Sequence, residues 1–226
     1  MKVTYYGHSC FSVFIADKHI LFDPYITPNT LASHISLDQI KADYIFLSHA
    51  HFDHVYDAVS IAEKTGAQVI GNFEIYQWLI KKGVKNAFPI NPGGKFTFDF
   101  GTVKCVSAQH SSSFEDGTYG GIACGFVVQA SEGTFYYSGD AALATDMELV
   151  LLFARPDFAV FPIGDILTMG IEEAIAAAKM VQTGKVLGVH YNTFPWIPLD
   201  RATAEEQFGS YNLLLYLPEI GTTIDI

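Results

Sequence analysis

At 226 residues the chain can bury a sizeable core as one large domain or two small ones. Half of it is hydrophobic and only 16% is charged, which excludes disorder and leaves an apolar surface of the kind a homo-oligomer covers. The formal charge of −11 opposes phosphate backbones, so nucleic acid is not an expected partner.

Residues 3–6, 11–15 and 19–22 alternate or run apolar around Gly7 and Ala16-Asp-Lys18, predicting an opening antiparallel meander. His8, in its first turn, reads either as a pocket-lining side chain or as a hydrogen-bonded turn histidine. Asp23-Pro24 ends the third strand, and the Pro-containing loop from Tyr25 to Ser36 is expected to flank a site mouth. His19 reads as structural and His34 as solvated. The run Ala42–Leu47 predicts a buried strand. Asp57–Thr65 has helical spacing and stops at Gly66, a strand covers 68–70, and Asn72 caps a helix running to Lys82 and closed by Gly83. Ile75 and Trp78 lie on that helix's core side. A turn-rich connection, 88–94, leads into strands 95–99 and 102–107. Strands 122–130 and 133–138 form a hairpin, and Thr145-Asp-Met-Glu148 predicts a capped helix ending before Pro156. Strand 158–162 precedes a loop, Gly164–Gly170, and an alanine-rich helix, Ile171–Gln182, with Glu172 and Glu173 as terminus chemistry rather than catalysts. Strand 185–189 follows, then a Pro-rich link and a short helix near Thr203–Phe208. No composition shift divides the chain, so one domain, 1–226, is expected.

Cys10, Cys105 and Cys124 lack a C-x-x-C spacing, which argues against disulfides or a cysteine zinc site. The first eight residues hold no apolar h-region and no run reaches transmembrane length, so a cytoplasmic protein without a membrane partner is expected.

The stretch Leu47-Ser-His-Ala-His-Phe-Asp-His54 places four metal-ligand side chains, His49, His51, Asp53 and His54, directly after the buried strand. Extended backbone would put His49, His51 and Asp53 on one face, with His54 reaching from where the chain turns. As packing the cluster makes no sense, because buried unpaired imidazoles are costly. Three further residues, His110, Asp140 and His190, each sit just past an apolar run. Strand followed by ligand, four times over, is a strong pattern by itself.

His-x-His-x-Asp-His after a strand resembles the signature of the metallo-β-lactamase superfamily. Tyr6-Gly-His-Ser-Cys-Phe11, Leu21-Phe-Asp-Pro24, His110-Ser-Ser-Ser113, Asp116-Gly-Thr-Tyr-Gly-Gly121, Pro162-Ile-Gly164, Thr168-Met-Gly170 and His190-Tyr-Asn-Thr-Phe-Pro195 narrow the resemblance. They resemble the small single-domain branch, metal-dependent hydrolases related to the ascorbate-6-phosphate lactonases. The one departure is Asp165, where a second glycine is expected after Gly164. The resemblance implies an α/β (α+β) four-layer αββα sandwich. It also implies two divalent transition-metal ions, zinc first, with manganese or iron as alternatives. His49, His51 and His110 would hold one ion, Asp53, His54 and His190 the other, and Asp140 would bridge them. Metal coordination lowers the pKa of water from about 15.7 to about 7, so a bridging hydroxide could attack a small ester, lactone or phosphorylated sugar-like substrate. Asp53 would orient that water or take its proton, and His190 is grouped with it as catalytic. His8, Ser111, Ser112, Asp165, Thr168 and Asn192 are the candidate substrate pocket. The glycine-rich 111–121 loop reads as a close approach to a ligand, with a plain surface loop as the alternative.

A Ser-His triad lacks its Gly-x-Ser-x-Gly elbow. Di-iron oxidoreductases of the superfamily carry an acidic residue at the position of His51. The alternatives to the hydrolase are a phosphodiesterase or nuclease of the same superfamily and a non-catalytic metal-binding scaffold.

Overall fold

The structure, a computed structural model, describes residues 1–226. The meander forms as β1 (Lys2–Gly7), β2 (Cys10–Ile15) and β3 (Lys18–Phe22), and the buried run forms β4 (Tyr44–Phe46). A single helical turn, α1 (Phe52–Val55), leads to α2 (Ala58–Thr65), β5 (Gln68–Gly71), α3 (Phe73–Lys81) and β6 (Ala87–Pro89). Then come β7 (Lys95–Phe98), β8 (Gly101–Ser107), β9 (Cys124–Ala130), β10 (Gly133–Tyr137) and β11 (Phe158–Pro162). The chain closes with α4 (Ile171–Met180), β12 (Lys185–Val189), α5 (Arg201–Ser210), β13 (Leu214–Tyr216) and β14 (Thr223–Asp225).

Two seven-stranded sheets result, ordered β14-β1-β2-β3-β4-β5-β6 and β13-β12-β11-β10-β9-β8-β7. Each joins an antiparallel half to a parallel half, the switch falling at β3 in one and β10 in the other. Helices α2 and α3 pack on the first sheet and α4 and α5 on the second, giving the αββα sandwich. Alternation explains the solid apolar runs. Ile20, Phe22, Phe46 and Ile70 face the layer between the sheets, while Leu21, Ile45 and Val69 face α2 and α3, so these strands are buried on both faces. Across the central layer Phe22 stacks on Phe46 with centroids 5.4 Å apart, and Phe46 meets Phe126 edge to face at 5.1 Å.

The predicted caps of α2 and α3 form. Gly66 takes a left-handed φ of 76°, and the Asn72 side chain accepts from the Ile75 amide. Glu173 accepts from the Gly170 amide at 3.1 Å, a terminus role. Other expectations are corrected. Thr145–Leu152 is a 3-10 helix preceded by Ala144, without a side-chain cap. Its apolar residues crowd into Leu149–Leu152 and offer no 3.6-residue stripe, whereas Met147 and Val150, three apart, are both buried on the tighter helix. The connection at 88–94 contributes edge strand β6, and the tail contributes β13 and β14. In the loop after Pro24, Asn29 and Ser36 cap two short 3-10 turns, Thr30–Ala32 and Leu37–Gln39. His34 is exposed and pairs with the Ile220 carbonyl, and His19 packs on Phe14. No helix is long and apolar enough to cross a membrane.

What matters for the site is direction. The parallel halves send β3 and β4 of one sheet, and β10 and β12 of the other, out at a shared edge, with β8 parallel to β10 across β9. The loops leaving those five strands carry Asp23, the 49–54 cluster, His110, Asp140 and His190.

Candidate metal centre

His49 and His51 lie in the turn after β4, and the chain then becomes helical at Phe52. This corrects the extended-backbone expectation. Asp53 leaves the face of His49 and His51 and, on α1, joins His54 instead. The ligand atoms of His49, His51 and His110 lie within 4.8 Å of one another, as do those of Asp53, His54, His190 and His8. Asp140 lies between the two groups. Its Oδ2 is 3.0 Å from His190 Nε2, 3.2 Å from His54 Nε2, 3.8 Å from His110 Nε2 and 4.0 Å from His49 Nε2.

Two observations test whether a cation fits. The donors are all imidazole nitrogen and carboxylate oxygen, the set that zinc, manganese and iron accept. Asp140 Oδ1 and His54 Nε2 are buried without a hydrogen bond, the 3.2 Å approach of Nε2 to Asp140 Oδ2 failing the geometry of one, which a protein avoids unless something else completes the site. The residues fit divalent metal.

Electrostatics prepare the imidazoles. Burial, with the neighbouring His54, holds His49 and His51 below the usual imidazole range, and burial brings His110 to about 4. These three are neutral at physiological pH and offer lone pairs. His54 goes the other way: burial lowers it, but in the metal-free cluster Asp140, Asp23 and Asp53 outweigh that and raise it above the usual imidazole range. Burial would raise Asp53 and Asp140, yet the surrounding histidines hold both carboxylates ionised.

Asp23, to which the sequence assigned no role, is bonded directly to the donor cluster. Fully buried after β3 at φ 42°, its Oδ2 accepts from Ser48 Oγ (2.5 Å), Tyr137 Oη (2.6 Å) and His54 Nδ1 (2.8 Å), and its Oδ1 accepts from the Ser48 amide (2.8 Å). The bond to Nδ1 keeps a proton on that nitrogen and turns Nε2 toward the cluster. Ser48 Oγ also lies 3.0 Å from His49 Nδ1, so one carboxylate orients two ligands. A buried strand ending in Asp-Pro was the only signal available.

The pocket candidates divide. A cavity of about 770 Å³ opens over His51, Asp53, His110, Asp140 and His190, and Ser111 lines it beside Ser113. Ser111 Oγ is 3.4 Å from His51 Nε2. His8 is buried behind the cluster, with Nε2 3.0 Å from Asp53 Oδ2, and faces a separate cleft that Asn192 also lines. Its backbone takes φ 54° in a turn that Gly7 enters at φ 97°, where a Cβ would meet Asn29 at 2.6 Å. Ser112 Oγ accepts from the Ala50 amide and donates to the Gly120 carbonyl. It stitches the 111–121 loop to the ligand turn, so tightly that a Cβ on Gly120 would sit 2.2 Å from Ala50. Asp165 accepts from the Ile166 amide, Thr168 donates to the Met169 carbonyl and Asn192 accepts from the Leu199 amide. Ser112, Asp165, Thr168 and Asn192 therefore hold loops and do not line the cavity.

Residues 18–191 match the model of the β-lactamase superfamily domain. A UPF0173 metal-dependent hydrolase of Methylacidiphilum infernorum is 47% identical over 208 residues, covering 92% of each chain. One from Flavobacterium johnsoniae is 44% identical over 226 residues, covering 100% of both. Among solved structures, Igni18, a metallo hydrolase from the archaeon Ignicoccus hospitalis, superposes with a TM-score of 0.89 at 33% identity, covering 99% of this chain and 97% of that one. The fold and the site define a member of the metallo-β-lactamase superfamily, and within it the chain belongs to the UPF0173 metal-dependent hydrolases.

Proposed function

We propose that the chain hydrolyses a small carboxylic ester or lactone with two divalent cations, zinc first and manganese or iron as alternatives. His49, His51 and His110 would hold one, Asp53, His54 and His190 the other, and Asp140 both. Such cations supply a water of lowered pKa and polarise the scissile carbonyl. The supporting observation is that the donor cluster floors an open cavity, as a catalytic site requires and a closed structural metal site does not. Asp53, kept ionised and fixed by His8, orients the attacking water and can accept its proton. His190 Nε2, 3.0 Å from Asp140, steadies the shared carboxylate, and Ser111 at the rim can donate to the substrate.

The test is hydrolysis of p-nitrophenyl acetate, γ-butyrolactone and bis(p-nitrophenyl) phosphate by chelator-stripped and metal-reloaded protein. Ester or lactone turnover should return with metal and be absent from His51→Ala and Asp140→Ala. Turnover of the phosphodiester alone would move the assignment to the phosphodiesterase reading, and metal uptake without turnover on any substrate would move it to the scaffold.

A further inference from the structure

The cavity over the donor cluster is lined, beyond the donors, by Phe52, Phe114, Ile166, Leu167, Phe194 and Trp196, with Ser111, Ser113 and Glu115. No lysine or arginine lines it, and its one charged group outside the cluster is the Glu115 carboxylate. A phosphate or carboxylate arm on a substrate would find neither the guanidinium nor the ammonium that such groups pair with, and would face a like charge.

The apolar side chains are left open at a cost. Ile166 is 70% exposed, Trp196 52%, Leu167 45% and Phe52 41%. Grouped at one mouth, they form the kind of patch that marks a binding site. The Phe194 and Trp196 rings stack with centroids 5.6 Å apart and an interplanar angle of 14°, making one flat wall. The Ile166–Leu167 turn, which lines the same cavity, is strained. Asp165 and Ile166 are consecutive non-glycine residues in left-handed backbone, at φ 62° and 55°. For a β-branched residue that conformation is a genuine outlier. Glycine would satisfy the backbone at position 166, so what isoleucine adds is its side chain over the cavity. The Asp165 amide, donating to the Met169 carbonyl at 3.1 Å, and its Oδ1, accepting from the Ile166 amide at 2.7 Å, hold the turn in place.

We infer that the substrate is an uncharged ester or lactone bearing an apolar alkyl or aryl group, which packs against the Ile166–Leu167 turn and the Phe194–Trp196 wall of this cavity. This inference rests on the hydrolytic reading above and narrows its substrate.

The experiment measures kcat/KM of the metal-loaded protein on p-nitrophenyl acetate, butyrate, hexanoate and succinate, and on methyl to hexyl acetates. Each methylene fully buried is worth about fourfold. At least one series should therefore rise by about tenfold or more from its shortest to its longest member, and the anionic succinate should be slower than the butyrate. In Ile166→Gly/Leu167→Ala the slope of that series should flatten. Ile166→Gly alone should melt no lower than wild type, because its backbone suits glycine, so the flattening is not unfolding. A second readout needs no turnover: in Trp78→Phe, hexan-1-ol should shift Trp196 emission to the blue and succinamate should not. Flat series, or preference for the succinate, with hydrolysis still metal-dependent would overturn this inference and leave the hydrolase reading standing. A blue shift with no ester or lactone hydrolysis would support the apolar site and overturn the hydrolase reading instead.

Discussion

Replacing Asp23 by asparagine separates the orientation of ligands from their presence. Asparagine tolerates the left-handed backbone at φ 42°, so the main chain is not strained. Its one remaining oxygen will turn to where Ser48 Oγ, Tyr137 and His54 converge on Oδ2, because the other orientation breaks three bonds instead of one. That leaves its amide against the Ser48 N–H, a buried donor without an acceptor, at about 1–3 kcal/mol. The melting temperature should fall accordingly. The hydrogen bond from His54 Nδ1 survives, but a neutral amide replaces the carboxylate behind it, and outer partners of this kind are worth about 10–100-fold in metal affinity. Competition against a chromophoric chelator at pH 7, well below the melting temperature, should show the lower end of that range, about tenfold. Affinity within about twofold of wild type, with the melting temperature lowered, would show that Asp23 supports the fold without orienting ligands, and the reasoning would fail.

Three further expectations follow. His8→Ala removes the hydrogen bond that fixes Asp53 and should lower metal affinity or turnover by about 10–100-fold; an unchanged value would make His8 a turn residue only. In metal-stripped protein, His8 and His110 titrate at about 4, below the unfolded value of about 6.5. The unfolded chain thus binds more protons between those values, and stability is lost as pH falls from about 6.5 to about 4. His54, raised by its carboxylates, adds a slope of opposite sign only at and above about pH 6.5, so the lower part of the range is the clean test. Chemical denaturation across that range checks the sign, and stability rising toward pH 4 would contradict it. Glu148→Ala should cost under about 0.5 kcal/mol in thermal melts, because no capping box forms at Thr145; a loss near 1 kcal/mol, typical of a cap, would restore the predicted helix.

The site was legible where chemistry is written in adjacent residues. His49 to His54 stand together, and His110, Asp140 and His190 each follow an apolar run, solidly buried in β10 and β12 and alternating in β8. Asp23 and His8 were harder, since their meaning lies in partners 25 to 114 residues away, which no local pattern displays. Apart from Ser111, the lining of the cavity was hard to read for a related reason. Ser112, Asp165 and Asn192 are polar loop residues near ligands, yet each spends its side chain on a neighbouring amide. Ile166, Leu167 and Trp196, which do line the cavity, look in sequence like ordinary core residues. Short edge strands β6, β13 and β14 carry three residues each, too few for a period to emerge.

The most direct test of the central claim is elemental analysis of the purified protein beside His51→Ala and Asp140→Ala. A dinuclear site predicts about two transition-metal ions per chain, reduced in both variants. No bound metal, and none taken up on reconstitution, would contradict it.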